Sequence, residues 1–183
     1  MDERKRIEIT DKGTSKSNKR VTIMERINRI LKNDLYQEYL AKNNQAEASR
    51  RFCHHNMGHF LDVARIAMIL NLEEGYGQKK EIIYAAALLH DIGRWMQYED
   101  GTPHEEASVR LAPEILSDCG FWGEESDRIL AAIGNHRNAE IKGEKSLSGL
   151  LYRADKLSRA CFACEMEKEC NWKNDKKNLE LIL

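Results

Sequence analysis

The sequence predicts an all-α fold, and three observations predict it. From Val21 onward apolar residues recur three and four positions apart. No sustained apolar–polar alternation occurs, and no hairpin turn separates β-branched runs. Glycine-bearing stretches, "EEGYGQ" and "DCGFWGEES", punctuate the periodic segments, and the chain has only two prolines.

The elements follow in order. Residues 1–20, "MDERKRIEITDKGTSKSNKR", are polar and aperiodic and read as a flexible tail; residues 21–183 read as one domain. Ile23, Ile27, Ile30 and Leu31 open the helical pattern, and Leu35, Tyr39 and Leu40 continue it. The next helix runs from about His54 to Leu70, with Phe60, Val63, Ala64, Ala67 and Met68 on its apolar side. A third covers roughly Lys79 to His90. It is apolar almost all round, "IIYAAALL", which predicts a central position. "GTP" leads into a helix from His104 to about Leu116, and another spans about Glu124 to His136. The last starts near Ser146 and carries "LSGLLYRADKLSRACFACEME".

At 183 residues the chain suits a single domain with a real core. A net charge of −1 gives no overall field to draw nucleic acid or a membrane surface. No run of about 18 apolar residues predicts a membrane span, and the charged N-terminus lacks the apolar core of a secretory signal. Five cysteines, mostly clustered, fit a reducing cytoplasm and metal or redox use better than a secreted disulfide framework.

The central helix ends in His90 and Asp91, two groups that are costly to bury unless paired or bound to a metal. Alone, they would read as a neutral core histidine beside a capping aspartate. They are not alone: His59, His104, His136 and Asp155 each lie on or at the end of a predicted helix. Imidazole and carboxylate suit divalent ions such as zinc, iron and manganese, and a helix bundle can converge such ligands in its core.

The ordered set His59, His90-Asp91, Asp155 resembles the HD superfamily of metal-dependent phosphohydrolases. "HFLDVARIA", "AALLHDIGR" and "LYRADKL" resemble its motifs over residues 50–160, and His104 and His136 match the extra histidines of its two-metal members. The resemblance implies a helical bundle with the metal site in its core. It implies one metal on His59, His90, Asp91 and Asp155, and a second on Asp91, His104 and His136. The ions would be one or two of iron, manganese, zinc, nickel or cobalt, and a metal-activated water would attack phosphorus. Arg94, Arg137 and Lys156 are the candidate cations for the phosphoryl oxygens. The substrate implied is a small phosphorylated molecule of the nucleotide class, not nucleic acid. Its phosphate would be held chiefly by the metals, since no GxxxxGK[ST] or GxGxxG stretch occurs. Two alternatives stay open: a sensing module without turnover, and a di-iron oxidative enzyme. The sequence sets neither the oligomeric state nor the metal.

Other residues are weighed beside these. His55 and His59 share an i, i+4 spacing, but Asn56 stands where a zinc-protease motif needs glutamate, so His54 and His55 read as a helix start near the site mouth. Trp95, Tyr98 and Trp122 could stack on a base but read as core or rim. Cys161, Cys164 and Cys170 fall within ten residues of one another, and Cys53 lies six before His59 as Cys161 lies six after Asp155. Six helical residues span about 9 Å, so antiparallel helices would bring the four thiols to one end of the bundle. Structural zinc and a [4Fe–4S] cluster are both open there. Cys119 reads as structural.

Overall fold

The computed structural model describes residues 24–182, and the expected tail at 1–20 lies outside them. The helices are α1 (Glu25–Lys32), α2 (Asp34–Ala46), α3 (Met57–Glu73), α4 (Lys80–Leu89), α5 (Arg94–Glu99), α6 (His104–Asp118), α7 (Glu124–Asn135) and α8 (Leu147–Leu157). A 3₁₀ turn at Ala139–Gly143 precedes α8, and three more follow it at Cys161–Ala163, Glu167–Glu169 and Asn174–Lys176. No strand occurs among the described residues, so the fold is all-α.

Helix α4 is the axis of the bundle. Ile82, Ile83 and every residue from Ala85 to Leu89 are buried, and α4 packs against α1, α3, α6, α7 and α8. Its alanines at 85–87 let neighbouring helices approach closely, while Leu88 and Leu89 fill the space between them. Each such leucine stabilises the fold by about 1.5–3 kcal/mol through burial. The uniform apolarity of "IIYAAALL" is therefore explained by neighbours on every side.

Helix boundaries follow local chemistry that periodicity does not carry. The apolar pattern over residues 27–40 belongs to two helices. Asn33 breaks it in an extended conformation, and its Oδ1 accepts the Tyr36 N–H at 3.0 Å as the cap of α2. Helix α3 starts at Met57 rather than His54, because Asn56 Oδ1 accepts the His59 N–H at 3.2 Å. Ser146 caps α8 through the Gly149 N–H at 3.1 Å, near where the sequence puts that helix start. Helix α8 ends at Leu157, so "CFACEME" is not α-helical. Helix α5 was not legible in the sequence.

The turn after α4 is fixed from two sides. The side chain of buried Asn43 on α2 donates to Asp91 O at 2.9 Å and accepts the Trp95 N–H at 2.8 Å. On the other side Gly93 meets α6 so closely that an added Cβ would lie 2.6 Å from Ser108 N and 2.7 Å from Ala107 C. Its N–H donates to Ser108 Oγ at 3.0 Å. Those neighbours are backbone and cannot swing aside. Gly93→Ala is expected to destabilise by about 1–3 kcal/mol, as overpacking does, and Leu88→Ala by about 2–5 kcal/mol. Urea unfolding of each variant checks both values.

Candidate metal centre

Five of the six histidines and two aspartates meet around the end of α4. His59 comes from the first turn of α3, His90 and Asp91 from the turn after α4, His104 from the start of α6, His136 from the end of α7, and Asp155 from α8. His55 arrives from the extended segment before α3, whereas His54 is exposed outside the group.

Asp91 is the hub. Its Oδ1 lies 3.2 Å from His104 Nε2 and 3.3 Å from His136 Nε2. Its Oδ2 lies 3.5 Å from His90 Nε2, 3.8 Å from His55 Nε2 and 3.9 Å from His59 Nε2. Asp155 Oδ1 stands 3.6 Å from His59 Nε2 and 3.9 Å from His90 Nε2. Three sets could each hold an ion: His55, His59 and Asp91; His59, His90 and Asp155; Asp91, His104 and His136.

The far side of each ring sets its tautomer. His90 Nδ1 donates to Ala87 O at 2.7 Å and His136 Nδ1 to Ile133 O at 2.6 Å. His55 Nδ1 donates to the Glu47 carboxylate at 2.7 Å, and His104 Nδ1 to Gln97 Oε1 at 2.5 Å. Ser158 Oγ donates to Asp155 O at 2.8 Å, which leaves its lone pair for His59 Nδ1 at 3.3 Å. The partners of His55, His90 and His136 only accept and that of His59 has a lone pair to offer, so these rings when neutral carry the proton on Nδ1 and present an unprotonated Nε2; His104 also has Arg94 Nη1, which only donates, 3.2 Å from its Nδ1 and 3.3 Å from its Nε2.

The consequence is a cluster that repels itself when bare. His59 and His90 face each other Nε2 to Nε2 at 3.2 Å, as do His104 and His136. Asp91 Oδ1 is buried and has no hydrogen-bond donor. Lone pairs aimed at lone pairs and at an orphaned carboxylate oxygen are the arrangement that divalent cations satisfy. The residues present therefore fit metal.

The electrostatics are those of a dry pocket. Burial, then the neighbouring His90, pushes His59 down to about 4. Burial likewise brings His104 down to about 4 and lowers His90. Burial opposes ionisation of Asp91, but the imidazoles around it, His90 first, hold its carboxyl well below the usual range. Asp155 is lowered against burial by Lys156 and then His90. Burial also works against charge on His136, but Asp91 outweighs it and His136 is raised.

The candidate cations fall in different places. Arg94 is mostly buried; its Nε donates to Glu47 Oε1 at 3.1 Å and its Nη1 lies 3.2 Å from His104 Nδ1. Lys156 Nζ pairs with the outer oxygen of Asp155. Arg137 is half exposed and pairs with Glu105 at 3.2 Å. Arg137 and Lys156 also line a cleft of about 930 Å³ with Lys142, Arg153, Arg159 and Lys176. Glu73, Glu74 and Asp175 line it too, and Glu74 is paired with Arg153. Trp172 lies on its wall with the Arg159 guanidinium 4.3 Å above the ring. Trp95 is 6.4 Å from Tyr39 in a stack, Tyr98 donates its hydroxyl to Glu47 at 2.7 Å, and Trp122 is exposed.

Sequence reasoning missed Glu47 and Gln97 and underweighted His55. Glu47 is almost fully buried and accepts from His55, Arg94 and Tyr98; burial opposes its charge, but the His55 contact brings it down to about 2. Nothing in "NNQAEASR" marks it. For His55, the i, i+4 spacing to His59 was the available signal.

A family model described as "HD domain" matches residues 56–160. A Clostridium beijerinckii protein described as "Uncharacterized protein" is 49% identical over 158 residues, covering 86% of this chain and 99% of that one. Ribonuclease Y of Enterococcus faecalis is 29% identical over 126 residues, 69% of this chain and 22% of that protein. Ribonuclease Y of Treponema denticola is 31% identical over 124 residues, 68% of this chain and 22% of that protein. The chain thus spans about a fifth of these ribonucleases. No solved structure matches it significantly.

Gln97→Ala is expected to weaken metal binding about 10–100-fold by freeing the His104 ring, as read by calorimetric titration of the metal-stripped protein. Metal at about 1,000 times its Kd adds about 4 kcal/mol of stability. In a domain of this size that raises Tm by roughly 10 °C. Asp91→Ala is expected to abolish the shift in a thermal melt.

Proposed function

Because this chain belongs to the HD-domain family of metal-dependent phosphohydrolases, we propose that its His/Asp centre holds two divalent cations and hydrolyses a phosphate ester or anhydride of a nucleotide. The observation that carries the reading is Asp91, whose two carboxylate oxygens face different sets of imidazoles. One cation would take His59, His90, Asp91 and Asp155, with His55 also within reach on that side. The other would take Asp91, His104 and His136. Iron, manganese, zinc, nickel and cobalt all suit this donor set.

When bound, the cations supply Lewis acidity toward a phosphoryl oxygen and lower the pKa of a bound water. The chain's own residues do the rest. Asp91 keeps the two ligand sets in register. Glu47 holds Arg94 beside His104, where its charge can offset that of a phosphoryl group. Lys156 sits on both Asp155 and the basic cleft, so it can lead an anionic substrate from the cleft toward the centre, with Arg137 on the same wall. A nucleotide suits a cleft that is rich in cations and carries Tyr152 and Trp172.

The ribonuclease relatives supply a second reading, an RNA phosphodiester as substrate. A net charge of −1 weighs against a long polyanion track.

The test is a hydrolysis panel run on anaerobically purified protein with each metal. It contains nucleoside mono-, di- and triphosphates, cyclic nucleotides, dinucleoside polyphosphates and a short single-stranded RNA. Turnover of a nucleotide that disappears in a helical Asp91→Ala variant is expected. Lys156→Ala is expected to lower kcat/KM about tenfold or more, the worth of a charged hydrogen bond. Cleavage of the RNA alone would replace the nucleotide reading. A fully metallated protein inert toward the whole panel would overturn both.

A further inference from the structure

Four of the five cysteines line one cavity of about 280 Å³: Cys53 from the segment before α3, and Cys161, Cys164 and Cys170 from the segment after α8. The helical offsets expected from the sequence are not how they meet, since Cys53 precedes α3 and Cys161 follows α8. The convergence comes instead from loops folded back over the end of the bundle. All four thiols are free. Arg51 and Lys177 line the same cavity, as do Glu165 and Glu167.

The segment that brings three of them has little else to hold it. From Asp155 to Ile182 no residue is fully buried, so the segment has no apolar core of its own. Its polar ties are few: Arg159 over Trp172, Lys177 with Glu167 at 2.7 Å, Arg51 with Glu169 at 3.3 Å, and Asn178 donating to the last carbonyls of α8. An exposed ion pair such as Arg51–Glu169 contributes at most about 1 kcal/mol. A coreless stretch of this length ordinarily needs a metal or a disulfide to hold one conformation.

The arrangement of the thiols favours a group larger than a single ion. Tetrahedral zinc with Zn–S bonds of about 2.3 Å needs sulfurs about 3.8 Å apart. Among the described residues, the groups whose donor atoms all lie within 4.8 Å of one another are the His/Asp sets, and none includes a cysteine. No three of the four thiols lie within that distance of one another, so they are not gathered as one tetrahedral ion would gather them, and the cavity they line leaves room for a larger group such as a cluster of iron and sulfide.

We propose that Cys53, Cys161, Cys164 and Cys170 hold a [4Fe–4S] cluster that staples the C-terminal segment to the segment leading into α3. The staple lies close to the His/Asp centre, because Ser158 and His55 belong to the two segments it joins. The proposal does not depend on the hydrolytic reading.

Acid-labile sulfide separates the two centres, since imidazole and carboxylate ligands hold no sulfide. The protein is purified anaerobically, reconstituted with iron and sulfide, and assayed for iron, sulfide and zinc per chain. About four sulfides per chain, with the broad visible absorption of a cluster, are expected. The double variant C161S/C164S is expected to lose the sulfide and to be cut faster by protease after Leu157, while keeping its helical circular dichroism. If that variant does not fold, the wild-type assay still decides. Wild-type protein without sulfide after reconstitution, or with one zinc on the thiols instead, would overturn the proposal, as would undiminished sulfide in the folded variant.

Discussion

The Asp91 carboxylate is the constraint on which the rest of the structure depends. It is almost fully buried, charged and short of hydrogen-bond donors, and imidazoles surround it with their lone pairs turned inward. A buried acceptor left without a partner costs about 1–3 kcal/mol, and more when charged. The fold tolerates that cost at the geometric centre of its histidines, where cation binding would recover it. The same interaction explains why α4 must be central. Only a helix packed on every side can deliver a carboxylate to a point that α3, α6, α7 and α8 all reach.

Around that point, each ring is held by what lies behind it. Backbone carbonyls one turn back fix His90 and His136, so two of the ligands are oriented by helix geometry alone. His55, His59 and His104 rely on side chains from other elements: Glu47, Ser158 and Gln97. The first pair needs no particular side chain behind it. The other three are adjustable, and they face the α2–α5 side and the C-terminal segment. Asn43 and Gly93 perform a related task on the backbone. They pin the turn that carries His90 and Asp91 between α2 and α6.

The surface next to the centre differs from the rest of the molecule. Net charge is −1 overall, yet one cleft gathers Arg137, Lys142, Arg153, Lys156, Arg159 and Lys176. Local concentration of charge in a concave wall attracts a compact anion without committing the whole surface to polyanions. Trp172 and Arg159 place that wall on the cysteine-bearing segment, so whatever orders residues 158–182 also shapes the cleft.

The sequence by itself determined the helical class, the central place of α4, and the membership of His59, His90, Asp91, His104, His136 and Asp155 in one candidate set. The first two are written in local periodicity, which can be read one segment at a time; the set rests on residue types that are expensive to bury and on its resemblance to the ordered HD motifs. It did not determine where the helices break. Asn33 and Asn56 decide that by single side-chain hydrogen bonds inside otherwise continuous patterns, and α5 depends on Asn43, some fifty residues away. Glu47 and Gln97 looked like ordinary surface residues, and His55 like a helix-start histidine. Only the tertiary structure turned them inward, because what a polar side chain touches is set by which helix packs over it. The cysteines show both sides: their clustering was legible, but the route by which they meet was not, since it runs through loops with no periodicity to read.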